Sequence, residues 1–199
     1  MMMARFLKTL MLLGLLVPGI AFAQFSDSYT FLKAVRDRDG AKATELVSKP
    51  GNVIIDTRDI STGDAALHIV TRERDSVWLA FLLSRGARPD VRDARGNTPL
   101  MLAAQIGYIE GAQLLLGQRA SVDLANNSGE TPLIRAVQNR DAAMVQLLVA
   151  NGANPNKVDS GAGLSARDYA SRDRRSAAIL KLLEAAKPAT ATPRIAGPN

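Results

Sequence analysis

A nine-residue segment of this chain recurs at a spacing of 33 residues, and this repetition limits the possible folds more than any other feature. Residues 96–104 read GNTPLMLAA, residues 129–137 read GETPLIRAV, and a weaker copy over residues 63–70 reads GDAALHIV. A second helical pattern follows each copy, over Val77–Leu83, Ile109–Leu116 and Met144–Val149. One short helix pair cannot bury both of its apolar faces, whereas stacked neighbours can. The repetition therefore predicts a stack of helix pairs.

The residues within each copy suit the start and the end of a helix. The hydroxyls of Thr98 and Thr131 can cap a helix, and a proline follows each of them at the first helical position. Those prolines are Pro99 and Pro132. Gly86 and Gly152 follow the second helical patterns, where a left-handed residue commonly ends a helix.

A 33-residue period with a T-P-L-H-x-A core resembles the ankyrin-repeat family. The resemblance implies an all-α solenoid of about five helix-turn-helix repeats with β-turn fingers between them. We expect the ankyrin-repeat domain to cover residues 24–186, with approximate repeats at 26–59, 60–92, 93–125, 126–158 and 159–186. The last repeat is rich in arginine, as a polar outer cap requires. Residues 187–199 are rich in Pro, Ala, Thr and Gly, which predicts a disordered tail.

Several positions depart from the repeat pattern. Ala65 and Ala66 stand where Thr and Pro occur in the other copies, so that helix is expected to lack a side-chain cap. Arg119 takes the place of Gly86 and Gly152, and a left-handed arginine costs about 1 kcal/mol. The Arg-Asp pairs at 38–39, 74–75 and 140–141 are predicted to form turns and helix caps.

Residues 1–23 have the pattern of a signal peptide. Arg5 and Lys8 precede an apolar run, and cleavage is expected between Ala23 and Gln24 after an Ala-Phe-Ala sequence. The uncharged run over residues 10–23 is shorter than the roughly 20 residues of a spanning helix. A permanent membrane anchor is therefore the weaker alternative. We expect export to the periplasm, or full secretion, with membrane contact only through the signal peptide.

The composition excludes several kinds of chemistry. The chain has no cysteine, so disulfides and thiolate metal sites are excluded. The single histidine, His68, lies at the His position of the family motif, where the resemblance implies a hydrogen bond to backbone between repeats. The formal net charge is +6, and the charges are interspersed. We expect no catalytic residue, metal, cofactor, small-molecule substrate or nucleic acid.

The resemblance implies that a partner binds the concave face, which the fingers and first helices form. The variable positions there are Ser61, Thr62, Asp64, Arg72, Glu73, Ala94, Arg95, Asn97, Gln105, Ile106, Asn127, Ser128, Glu130, Gln138 and Asn139. Ile106 is the one apolar side chain expected to be exposed among them. The mixture of charge signs favours a folded protein partner over a polyanion.

These sequence features lead to two functional hypotheses. The first is a non-enzymatic protein–protein interaction module, acting as a monomer. The alternative is a structural, envelope-associated protein that contacts anionic lipid or cell wall through its arginine-rich surface.

Overall fold

The computed structural model describes residues 18–49 and 53–185, with side chains from residue 27 onward. Within these ranges the chain forms ten α-helices, in five consecutive pairs. They are α1 (Pro18–Arg36), α2 (Gly40–Val47), α3 (Ala66–Arg72), α4 (Ser76–Ser84), α5 (Pro99–Ile106), α6 (Ile109–Gly117), α7 (Pro132–Gln138), α8 (Ala142–Ala150), α9 (Ala166–Arg172) and α10 (Ala177–Ala185). Short 3-10 helices occupy Ile54–Asp56 and Arg174–Ser176. None of the helices in this part of the chain is long and apolar enough to cross a membrane.

The helices stack in two rows. The first helices of the pairs contact one another in chain order, and α4, α6, α8 and α10 form the outer row. Two columns of buried leucines run through the stack at the repeat spacing: Leu67, Leu100 and Leu133 in the inner row, and Leu82, Leu115 and Leu148 in the outer row. The predicted all-α stack of five helix pairs is therefore confirmed.

Side chains cap the first helices as their residue types suggest. The Thr98 hydroxyl accepts a hydrogen bond from the Met101 N–H at 3.2 Å, and Thr131 accepts one from Ile134 at 3.3 Å. Ala65 provides no such cap for α3, as expected. The backbone N–H of Ala65 donates a hydrogen bond to Nδ1 of His68 at 3.1 Å.

The turns between paired helices use the Arg-Asp pairs. The arginines take left-handed φ angles of 60°, 54° and 57° at Arg38, Arg74 and Arg140. The aspartates that follow them accept hydrogen bonds from backbone N–H groups in the first turns of α2, α4 and α8, at 2.9, 3.0 and 2.9 Å. The pairs are turn and cap residues, as predicted.

Arg119 also has a left-handed backbone, with a φ of 63°. Gly86 and Gly152 occupy the same place in the neighbouring repeats, with φ of 89° and 86°. The junction after α6 therefore keeps the geometry of its neighbours, and the arginine bears the steric cost.

The first helix of the stack begins before the predicted start of the first repeat. The first repeat is predicted to begin near residue 26, whereas α1 begins at Pro18, a residue type that suits the first position of a helix. The predicted cleavage junction between Ala23 and Gln24 thus falls within α1. Residues 1–17 of the predicted signal peptide and the predicted tail, 187–199, lie outside the described residues.

The concave face as a candidate partner-binding site

Four loops precede the first helices of repeats two to five. We call them finger 1 (residues 59–64), finger 2 (93–97), finger 3 (126–130) and finger 4 (159–164). Each begins with Asp or Asn, and one side-chain oxygen of that residue accepts two backbone N–H bonds of 2.7–3.2 Å from its own finger. These residues are Asp59, Asp93, Asn126 and Asp159. The sequence indicates Asp93 as a turn former or partner contact but does not single out the other three, although an Asp or Asn five or six residues before each helix cap is a visible signal.

The fingers are joined to one another along the stack. Ala94 donates its N–H to the Thr62 carbonyl at 3.4 Å, Asn127 donates to Arg95 at 3.0 Å, and Ser160 donates to Ser128 at 2.9 Å. This series of bonds, the finger ladder, fixes the positions of neighbouring fingertips. The side chains on the tips are therefore held on a preorganised surface.

A cleft of about 420 Å³ opens between fingers 1 and 2, above α3. Its lining residues are Ser61, Thr62, Asp64, Arg72, Asp93, Ala94 and Arg95. All of these except Asp93 belong to the concave positions predicted from the sequence. The structure thus brings together six predicted residues from two repeats.

The charges inside this cleft are largely paired. The Arg72 guanidinium lies 2.8 Å from Oδ1 of Asp64 and 3.7 Å from Oδ2 of Asp93. Burial would raise the pKa of Asp93, but hydrogen bonds from Asn97 and Arg95 outweigh it and hold the pKa below its usual range. Arg95, in contrast, is exposed, and its guanidinium has no partner among the described residues. It is the cleft's unpaired charge.

The other predicted concave positions divide into exposed and engaged side chains. Gln105 and Ser128 are exposed, and Gln138 is half-buried. Asn127 and Asn139 are exposed but engaged, because their side-chain amides donate to backbone carbonyls of the preceding repeat at 3.3 and 2.7 Å. Glu73 is exposed but forms an ion pair with Arg38. Glu130 is half-buried, with its carboxylate 2.7 Å from Arg135.

Three of the predicted contacts are less accessible than the sequence indicated. Asn97 is buried, because its side chain donates to Asp93 at 3.0 Å. Asp64 is buried against Arg72. The expectation that Ile106 is exposed was wrong, since it is half-buried and packs against the hydrophobic core at the end of α5.

His68 connects the second repeat to the third. Its side chain is fully buried, its Nδ1 accepts from the Ala65 N–H, and its Nε2 lies 3.0 Å from the Asn97 carbonyl oxygen. Nε2 therefore carries the proton and donates. Because both ring nitrogens are engaged within the core, neither is available for proton transfer to a ligand. The described residues contain no group of three or more His, Cys, Asp or Glu side chains that could hold a metal ion.

Acid should destabilise the fold through His68. Burial lowers the pKa of His68 from its ordinary 6.5, so the unfolded chain takes up a proton first as the pH falls. The stabilisation is complete above pH 6.5 and is lost as the pH drops towards the depressed pKa, by up to about 1.4 kcal/mol per pH unit. Urea unfolding between pH 7.5 and 5 measures this slope. The variant His68→Gln should be less stable at pH 7.5 but should lose the slope, and an unchanged slope would assign the effect to another group.

Comparison with known proteins agrees with this architecture. A family model for ankyrin repeats, in three copies, matches residues 31–126 and 67–159. The chain is an ankyrin-repeat protein. The all-α ankyrin solenoid that the sequence predicted is thereby confirmed, and ankyrin repeats are in general protein-interaction modules.

Two relatives are similar to parts of this ankyrin-repeat protein. An ankyrin repeat-containing protein of Treponema pallidum is 39% identical over 109 residues, which cover 54% of this chain and 36% of the relative. Oxysterol-binding protein homolog 1 of Saccharomyces cerevisiae is 33% identical over 79 residues, covering 38% of this chain and 7% of the yeast protein. The chain thus spans well under half of either relative.

Proposed function

We propose that this ankyrin-repeat protein is a non-enzymatic protein-binding module of the periplasm, with its contact surface on the concave face. The observation that carries the proposal is the exposed, unpaired guanidinium of Arg95 at a polar cleft whose other charged groups are paired. An exposed cation fixed on a rigid finger is suited to meet a carboxylate of a partner.

The cleft also favours a folded protein over a polyanion. The carboxylates of Asp64 and Asp93 balance the guanidinium groups of Arg72 and Arg95, so the cleft has no net charge. Around the cleft, the exposed side chains of Ser61, Thr62, Asn127 and Ser128 can exchange hydrogen bonds with a polar surface. A partner with one acidic group among neutral polar groups matches this arrangement.

The periplasmic part of the proposal is supported by the signal-peptide pattern of residues 1–23. Fractionation of the cells that make the protein tests it. Mass spectrometry of the periplasmic fraction should find a mature chain that starts at Gln24. Recovery of an uncleaved chain from the cytoplasm would contradict export.

Affinity capture from periplasmic extract tests the binding function. Wild-type bait should retain a stoichiometric partner, identified by mass spectrometry, and Arg95→Glu should weaken its binding by at least about tenfold, because a charge pair becomes a repulsion. The matched control is Arg58→Glu, which reverses another exposed arginine that has no ionic partner among the described residues. Circular dichroism checks that both variants are folded. If the two variants bind the partner equally well, the concave cleft is not the contact surface.

A further inference from the structure

The outer row of helices has an uneven charge distribution. The adjacent helices α4, α6 and α8 together contain a single charged residue, Glu110. In contrast, α10 at the end of the row and α2 of the first pair each contain both a lysine and a glutamate. A helix with one face in water normally has charged residues on that face. The middle of the outer row therefore has unusually few charged residues for a solvated surface.

The side chains that α4, α6 and α8 expose define what we call the convex face. Val77 is 76% exposed, and Ala80, Gln113, Ala143 and Gln146 are also exposed. Next to Val77, the half-buried rings of Trp78 and Phe81 pack edge to face with centroids 5.4 Å apart. These aromatic side chains line a groove of about 250 Å³ between α2 and α4. Among the described residues of this face, Val77 is thus the one large apolar side chain that is exposed, and the groove at its end is lined by Arg38 and Thr44 as well as by the aromatic rings.

Cations lie at one edge of this face. Arg85 and Arg119 follow the C-terminal ends of α4 and α6, and both side chains are exposed. Neither forms an ion pair within the part of the chain that the structure describes, and Arg85 lies over the Phe81 ring at 5.2 Å. Asp90 and Asp123 lie in the loops of the same edge. Their carboxylates accept hydrogen bonds from backbone N–H groups of the next repeat, from Ser121 at 2.8 Å and from Asn154 at 3.0 Å.

We propose that the convex face docks on the surface of an anionic lipid bilayer. A nearly uncharged surface with Val77 exposed and two unpaired arginines at its edge matches an anionic interface, where an apolar side chain enters the headgroup region and cations contact the lipid phosphates. A second copy of the chain would present the same cations, and Glu110 as the convex face's single acidic residue. This proposal goes beyond the binding function of the concave face and does not depend on it, because different side chains form the two surfaces.

Flotation with vesicles of defined composition tests the proposal. The protein is purified from cells after export, so wild type and variants share the same N-terminus. Wild type should bind vesicles of 30% phosphatidylglycerol in phosphatidylcholine, and not vesicles of phosphatidylcholine alone. The binding should weaken as the salt concentration rises, because the contact is partly electrostatic. Failure to bind the anionic vesicles overturns the proposal.

Variants locate the contact. Arg85→Glu with Arg119→Glu should reduce binding by at least about tenfold, and Val77→Glu should reduce it at an unchanged cation count. The matched control, Arg58→Glu with Arg174→Glu, makes the same change in net charge away from this edge and should keep most of the binding. If the two double variants lose vesicle binding equally, the net charge of the protein attracts it to the vesicles, and the proposal of a specific contact through the convex face is overturned. Sedimentation as a wild-type dimer that Val77→Glu dissociates would assign the face to a second copy.

Discussion

Replacing Leu133 with alanine is expected to lower the free energy of unfolding by about 2–5 kcal/mol. Leu133 is fully buried in α7, which packs against both α5 and α9. A cavity at this position therefore weakens the contacts of the fourth repeat with neighbours on both sides. In a stacked array those contacts provide most of the stability of each repeat. Urea unfolding monitored by circular dichroism measures the loss.

Leu183→Ala is the matched control, because Leu183 is equally buried but lies in the last helix, α10. Its loss should mainly loosen the fifth repeat, which has a neighbour on one side only in the described stack. Hydrogen exchange should then be faster in α9 and α10 for Leu183→Ala, and throughout the stack for Leu133→Ala. Equal and local effects of the two changes would contradict a cooperative array.

The stack could be predicted because its determinants recur in the sequence. Leu67, Leu100 and Leu133 share one register position, and a leucine at that position in each copy has to face the core. Thr98 and Thr131 likewise show their capping role by residue type and place. Local patterns of this kind need no knowledge of distant contacts.

The accessibility of the concave side chains could not be predicted in the same way. A repeat register identifies variable positions, but hydrogen bonds decide which of those side chains turn inward. Asn97 donates a hydrogen bond to Asp93, and Asp64 accepts one from Arg72, so Asn97 and Asp64 are buried. Ile106 lies at the end of α5, and its packing against the core does not follow from the motif.

The sequence shows how many arginines the chain has, but it does not show which of them form ion pairs in the fold. Arg36 pairs with Asp59 at 2.7 Å, and Arg140 pairs with Asp173 at 2.6 Å. The latter pair helps to lower the pKa of Asp173 to about 2. These partners are 23 and 33 residues apart in the chain. Within the cleft, the ion pair between Arg72 and Asp64 leaves Arg95 as the unpaired cation, and only the structure shows that pairing.

The finger ladder can be tested through two glycines that share a left-handed backbone. Gly129 in finger 3 has a φ of 75°, and Gly152 after α8 has a φ of 86°. A Cβ atom on Gly129 would lie 2.6 Å from the Ser160 backbone nitrogen, whereas one on Gly152 would meet nothing within 4 Å. Alanine at either position carries the same steric cost of a left-handed backbone, about 1 kcal/mol. The difference between the two variants therefore isolates the contact between fingers 3 and 4.

Gly152→Ala should lower the free energy of unfolding by about 1 kcal/mol, and Gly129→Ala by about 1–3 kcal/mol more, because the backbone of finger 4 has to move. Urea unfolding of both variants gives the two values. Hydrogen exchange adds a local measure, since displacement of finger 4 breaks the 2.9 Å bond from the Ser160 N–H to the Ser128 carbonyl. That amide should exchange faster in Gly129→Ala and at the wild-type rate in Gly152→Ala. Equal stability losses with an unchanged Ser160 amide would mean that the fingers move independently, and the concave tips would then lack the fixed spacing that a preorganised binding surface needs.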